Sequence, residues 1–531
     1  TYDALNRVIS ETYNGRTVNY AYNIAGRTQT TIYPDSTVIT KIFDTRNRLA
    51  SISRNNSVLV SYQYNNLNQV TAKTFSNGVT TNMQYDFANR LMSFSTAGGA
   101  IQNTNFSYNN EQNKTAINRL NNPAQSEQFT YDNGRRLTNY KKGVIGGTPG
   151  IQNTYSYDAV GNRTSANLNG VTTAYTNNNL NQLTNSNNGT QNINFTYDNN
   201  GNLTYDGLYY KTYDAEKRLL KDSSSPANVL TYQYDAFGRR VQKNMNGNIL
   251  NYTYSGMKSI EERDNATGTI INKTIFSNFL TPLVNEKNNT SFYYHQNELN
   301  SVEAITTQQG RLLENYQYDV YGKMSIYDSL NNSLPGSLAG NRFGFTGQVY
   351  DSATGNYKFL FREYNPSTGL FNQRDLIGYS DGMGMYQYVH DNPANGIDIF
   401  GLEDCPPDDM KETQSPQKKN IFDKLSNLSN WLTMLNESVK ATSLGAAKVA
   451  FMDDDFNTLA KYDTKYGADL SKNKKFAKLS SAAAILPLIN KINNLKNNYD
   501  NMSSKDVQVE MAEIEVALLG IANDKGAFKA L

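Results

Sequence analysis

The sequence predicts a mainly β protein that ends in a small all-α domain. Three observations carry this: a short aromatic repeat recurs over most of the chain, the composition favours strands and tight turns, and both features stop after Leu402. Of 531 residues, 38 are Tyr, 22 Phe and 36 Gly, against 1 Trp, 1 Cys and 2 His, and only 38% are hydrophobic. Tyr and Phe suit half-buried strands, whereas Gly and the abundant Asn suit turns. The same numbers exclude several functions. One cysteine rules out a disulfide framework or Cys-based zinc site, and two histidines leave no His-rich centre, so neither metal nor cofactor is expected. A net charge of +2 over the whole chain gives no electrostatic case for nucleic acid or an anionic membrane, and no nucleic-acid contact by the repeats is expected. No apolar run approaches the roughly 18 residues of a membrane-spanning helix. Because Thr1 already lies inside a repeat, a fragment or processed product is expected, with any signal peptide out of view.

The repeat is an aromatic-x-aromatic-Asp or -Asn tract followed by Gly or Asn, Arg and an apolar residue. Its clearest copies are Tyr85-Asp86 with Asn89-Arg90-Leu91, Tyr131-Asp132 with Gly134-Arg135, Tyr157-Asp158 with Gly161-Asn162-Arg163, Tyr234-Asp235 with Gly238-Arg239-Arg240, and Tyr318-Asp319 with Gly322-Lys323. At Asn177 the aromatic is lost. Alternation such as Phe195-Thr196-Tyr197 has the period of a half-buried strand. Asp-x-x-Gly or -Asn is turn chemistry, because the carboxylate accepts nearby backbone N–H groups and Gly or Asn tolerates positive φ. The Arg is expected over a neighbour's Tyr ring, with its remaining donors on the next turn. A unit this short cannot bury its own aromatic face and has to stack on its neighbours; a solenoid or a propeller would meet that requirement equally.

These units resemble the YD repeats of the Rhs family. The segment from about 340 to 402 is similar to the Rhs repeat-associated core, through Arg342-Phe343, Gly347-Gln348, Asp351, Thr354-Gly355, Arg362, Tyr364-Asn365-Pro366, Thr368-Gly369, Arg374-Asp375-Leu376-Ile377-Gly378, Asp381-Gly382, Tyr386-Gln387-Tyr388, Asn392-Pro393 and Asp398-Ile399-Phe400-Gly401-Leu402. The resemblance implies a β-sheet spiralling into a hollow shell over residues 1–339. It also implies a core over 340–402 that plugs one end, and a C-terminal effector domain cut free inside as cargo. Secretion or a cell-surface location, delivery machinery and an immunity protein are implied with it.

After Leu402 Tyr becomes scarce, with Tyr462, Tyr466 and Tyr499 alone remaining, and Arg and His are absent. Residues 403–418 read as a Pro- and charge-rich linker. Ile421, Leu425, Leu428, Leu432 and Leu435 then fall at helical spacing, and similar patterns recur through 419–531. The apolar tract 482–489 is too short to span a membrane and reads as buried core, with pore formation as the other reading. Asp453-Asp454-Asp455 reads as a helix N-cap rather than a cation site. No catalytic signature identifies the effector.

The chemistry expected of the core rests on Asp375 and Asp398. Two carboxylates held together cannot both ionise cheaply, so one keeps a proton and the pair supplies an acid and a base for amide hydrolysis. In the Rhs family the corresponding aspartates cleave the chain directly after the terminal Gly-Leu, which places the cut between Leu402 and Glu403, and Arg374 matches a position that assists. The family usually carries Pro after each aspartate, where this chain has Leu376 and Ile399. Both aspartates could instead simply initiate turns, and His390 with Cys405 offers a Cys/His pair. A different class of function is a non-enzymatic surface protein whose Tyr and Asn faces bind carbohydrate or another cell.

Overall fold

The computed structural model describes residues 1–4, 7–378 and 382–402, with the backbone of the strand Asp404–Cys405. Thr12–Gln414 is one compact unit; Thr1–Glu11 and Ser415–Leu531 make up another. In the latter, the described part is a turn in which Arg7 pairs with Asp3 at 2.7 Å. Glu403, the rest of the expected linker, the expected helices of 419–531 and Asp453-Asp454-Asp455 lie outside the described residues.

The repeats form antiparallel strands that pair with their sequence neighbours. One sheet of 18 strands ends at Asn192–Asn194, and a sheet of 15 strands runs from Thr196–Tyr197 to Ser333–Leu334. Among the described residues, helical structure is limited to three-residue 3₁₀ turns such as Phe345–Gly347.

Repeats that carry Asp and Arg four residues apart are closed by the same bonds. Asp132 accepts the N–H groups of Gly134 and Arg136 on Oδ1, both at 2.9 Å, and the Arg136 Nε–H on Oδ2 at 2.7 Å. The Arg136 guanidinium then lies 5.0 Å from the centre of the Tyr157 ring, one repeat on, and donates to the Asp158 carbonyl at 2.8 Å. Tyr157 returns the link by donating its hydroxyl to the Leu137 carbonyl at 2.7 Å. Asp235, Arg239 and Tyr254 repeat this arrangement, as do Asp214, Arg218 and Tyr234. The expected Arg-on-Tyr stacking is therefore present, although in two copies the pairing residue differs from the neighbouring Arg noted in the repeat. It is Arg136 rather than Arg135 that pairs, and Arg135 takes the positive φ of 63°. In the Asp158 turn the partner is Asn162, while Arg163 lies half-buried 4.3 Å from the Tyr321 ring centre. Where the aromatic is lost, Asn177 donates its side-chain amide to the Arg163 carbonyl and replaces the hydroxyl.

This wiring makes a local prediction. Arg136→Ala removes an ion pair, a cation–π contact and a bond to the next turn, so it should cost about 1–2 kcal/mol. Amide exchange should quicken in Leu137–Lys142 and Arg163–Leu168, whereas Arg135→Ala, on the exposed turn, should leave both strands unchanged.

The apolar faces of the two sheets meet in a common core. It includes Ile39, Ile52, Val60 and Phe75 from the first, and Ile275, Val284, Tyr294 and Val302 from the second. Tyr33 donates across it to the Thr274 carbonyl at 3.2 Å. Within this cluster the facing side chains pack against one another. Beside it, a cavity of about 800 Å³ is lined by Tyr62, Lys73, Tyr108, Lys114, Glu298 and Asn395. That volume is on the scale of a small-molecule site rather than of a folded domain.

From residue 340 the chain leaves the ladder and covers the turns. Its four short strands, Val349–Asp351, Asn356–Lys358, Glu363–Asn365 and Leu370–Phe371, carry an aromatic core of Tyr357, Phe359, Tyr364, Phe371 and Tyr388. The repeats that receive residues 383–387 have lost their arginine. Asn162, Gln182 and Asn202 stand in its place, Gln387 donates to the Gly161 carbonyl, and Tyr386 accepts from Gln182 at 3.1 Å and donates to Gly201 at 2.8 Å. A shorter neutral side chain leaves both the room and the hydrogen-bonding groups that the covering segment needs.

A buried acid in the core gives the fold a pH dependence. Burial pushes Asp391 up to about 7; Arg163 and Arg136 oppose the rise, and Asp132 and Asp158 add to it. Stabilisation from such a group is complete below the ordinary carboxylate range and is lost as pH rises through about 7. The turn acids act oppositely. At Asp86 burial acts upward, but the N–H groups and guanidinium it accepts from hold it below its ordinary value, so its stabilisation is lost as pH falls. Denaturant midpoints should accordingly be higher near pH 5.5 than at pH 8, and Asp391→Asn should flatten the alkaline decline.

Candidate self-cleavage site

Asp375 and Asp398 are brought together by an arginine. Arg362, 2% exposed, places Nη1 2.8 Å from Asp375 Oδ2 and Nη2 3.2 Å from Asp398 Oδ2. Its Nε–H donates to the Gly401 carbonyl at 2.5 Å, and its guanidinium carbon lies 3.7 Å from the centre of the Phe371 ring. One planar cation thus holds both acids and the backbone just before Leu402. Arg362 begins the approach to the strand Glu363–Asn365, and Asp375 follows Leu370–Phe371, so the small aromatic sheet sets their separation. Asp398 ends the strand Ile397–Asp398, which pairs with Asp404–Cys405. The Leu402 to Glu403 bond therefore falls in the loop joining these two strands.

The loop is pinned on both sides. Asp398 Oδ1 accepts the N–H groups of Phe400, Gly401 and Leu402, at 3.2, 2.6 and 3.0 Å. The carbonyls of residues 399, 400 and 401 accept in turn from Gln348 Nε2, the Phe361 N–H and Arg362 Nε. The Leu402 carbonyl is next in the series, and Leu402 itself is buried. Asp375 Oδ1 accepts the Ile377 N–H at 2.9 Å. These turn bonds orient the carboxylates without the fixed φ that Pro would supply at Leu376 and Ile399. At Asp398, Oδ1 caps the turn while Oδ2 faces Arg362.

Burial pushes Asp375 up to about 6, against the pull of Arg362 and the Ile377 N–H and with a further push from Asp398. Burial also raises Asp398, but Arg362 and its three N–H donors favour its charged form. Both acids are thus held above the ordinary carboxylate range, and the pair titrates as a unit.

Arg374, the expected assistant, lies half-buried with its aliphatic stem against Gly201. The ion pairs to both acids come from Arg362, whose role the sequence reading missed. The signal was present, since Arg362 stands among the matched core residues, but nothing in its spacing tied it to residues 13 and 36 positions away. His390 is exposed and has a φ of 51°; the Cys405 side chain lies outside the described residues.

Gly401 is required twice over. Its φ is +80°, and a Cβ there would lie 3.0 Å from Phe359 Cβ and 3.3 Å from the Arg362 nitrogen. Gly401→Ala should displace the loop from Arg362 and slow any cleavage at Leu402 by at least about tenfold, since small misplacements at a reacting centre are costly. Gly378→Ala provides a comparison that separates the two causes, because at a φ of +68° it shares the backbone strain while its Cβ would meet nothing within 4 Å.

The ladder of arginine-stapled aromatic repeats, closed by a core laid across their turns, defines a YD-type β-shell protein. The family model described as Teneurin YD-shell matches residues 96–394, and the chain belongs to this family of YD-repeat proteins. It is 31% identical over 261 residues to the tRNA3(Ser)-specific nuclease WapA of Bacillus spizizenii, covering 46% of this chain and 11% of that protein. It is 22% identical over 220 residues to the double-stranded DNA deaminase toxin A of Burkholderia cenocepacia, covering 36% and 15%. The chain thus spans a small part of the curated relatives it matches. Among solved structures, the crystal structure of TcdB2-TccC3-Cdc42 superposes with a TM-score of 0.59 at 18% identity, covering 73% of this chain and 22% of that one. This likeness concerns the fold. Among the described residues, no helix is long and apolar enough to cross a membrane.

Proposed function

We propose that this part of a polymorphic toxin cuts its own chain between Leu402 and Glu403, releasing a C-terminal effector. The observation that carries the reading is the Arg362 bridge between two buried acids, one of them bonded to the Leu402 N–H. Water attacks the Leu402 carbonyl carbon and gives a proton to the ionised acid of the pair. The protonated acid donates to the carbonyl oxygen, and the tetrahedral centre then collapses. The C–N bond breaks, a proton passes to the departing Glu403 nitrogen, and Leu402 is left with a carboxylate. Proximity within one folded chain stands in for substrate binding, and one turnover suffices.

Relatives sharing this shell are named for unlike activities, among them a tRNA nuclease, a DNA deaminase and a toxin subunit. That supports a common releasing device ahead of a variable effector. It also favours a toxin over a non-enzymatic surface protein. Secretion, a delivery partner and an immunity protein belong to the same proposal. So does encapsulation, and a lumen large enough for residues 403–531 would on this reading draw on more shell than the described residues enclose. Denaturing electrophoresis of the purified chain tests the reading: two fragments meeting at residue 402 are expected, and a persistently intact chain would refute it.

A further inference from the structure

We propose that Gln348 is a positioning residue for this cleavage and makes it conditional on the core being seated on the repeats; the proposal rests on the self-cleavage reading above. Three carbonyls ahead of Leu402 are held by three donors, and two of these, Phe361 and Arg362, come from the segment that carries the acids. The third comes from the start of the same small sheet, at Gln348 just ahead of the strand Val349–Asp351. Gln348 Nε2 donates to Ile399 O at 2.9 Å and reaches Asp398 O at 3.4 Å, with the residue 3% exposed.

Gln348 is fastened to the repeats through the turn before it. Gly344 accepts the Val302 N–H at 3.1 Å, and the Thr346 N–H donates to Ser301 Oγ at 2.9 Å. Gly347 has a φ of +75° and lies so close to the Leu280 carbonyl that a Cβ would come within 2.1 Å of its oxygen. Gln348 and Gly344 then close the turn, with the Gly344 N–H donating to Gln348 O at 3.0 Å. The residues after the turns at 278 and 297 therefore determine where the Gln348 amide sits, and the amide determines where the loop 398–402 sits. With the 344–347 turn displaced from the repeats, Arg362 could still pair with both acids, but the Gln348 amide would lose its placement against the loop.

The bond requires a donor, and this distinguishes positioning from mere filling of space. Gln348→Ala should slow cleavage at least tenfold at every pH without moving the pH midpoint of the reaction, because Asp375 and Asp398 are untouched. Gln348→Glu has nearly the same shape but donates only when protonated. Its rate relative to the unaltered chain should approach one at low pH and fall at least tenfold as the new carboxyl ionises. Gly347→Ala should slow cleavage as Gln348→Ala does. The assay is the rate of fragment appearance in the full chain on refolding, from pH 4.5 to 8. A Gln348→Glu rate that tracks the unaltered chain at all pH values, or a Gln348→Ala rate within twofold of it, would overturn the proposal. If the unaltered chain itself fails to cut, the self-cleavage reading fails instead.

Discussion

Asp375→Asn is expected to leave the chain intact, and Asp398→Asn likewise. Each removes one partner from an acid–base pair, and the cut should slow by at least about a hundredfold, at the low end of what a positioned proton-transfer group contributes. The two variants should differ in stability. Asn at 375 resembles the protonated acid already favoured there, whereas Asn at 398 loses a carboxylate that accepts three backbone N–H groups. Asp398→Asn should therefore be the less stable of the two. In the unaltered chain, the rate should decline by about tenfold per pH unit above the Asp375 value of about 6, as the shared proton is lost. Fragment yield after refolding at a series of pH values measures both effects.

The second large effect is expected at Arg362. Arg362→Met leaves two buried acids without their cation, and removing one partner of a buried ion pair typically costs about 3–5 kcal/mol. The loss should depend on pH in a defined direction. Arg362 holds Asp375 and Asp398 below the values burial alone would give, so without it both rise further. A group whose folded value is raised stabilises the fold at low pH and loses that contribution as pH climbs through it. The deficit of Arg362→Met should be smaller at pH 5 than at pH 7.5, as read from urea midpoints. Arg362→Lys keeps a charge but not the planar fork that reaches two carboxylates and the Gly401 carbonyl together, so it should fold better than the Met variant and still cleave poorly.

Much of the repeat was legible in advance because its chemistry is local. Asp132 and Arg136 meet within one turn, and Tyr157 follows one repeat later, so period and residue type sufficed to predict the stacked arginine. Which arginine pairs was harder to see, because Arg135 and Arg136 are adjacent and differ in which one takes the positive φ of the turn. The acids of the candidate site were identified through a family resemblance, and their partner was missed. Arg362 reaches them through the fold of a small aromatic sheet, and no periodic signal carries that separation. The apolar core shared by the two sheets was not read from the sequence either. Ile52 and Ile275 lie far apart in the chain, and alternation reveals that a face is apolar without revealing what covers it.

Refolding the full chain in water enriched in ¹⁸O gives the most direct test of the account. Hydrolysis by the acid pair predicts a new C-terminal peptide ending at Leu402, with one heavy oxygen in its carboxylate, and a complementary fragment beginning at Glu403. An intact chain, a cut at another bond, or a Leu402 terminus without the label would contradict it.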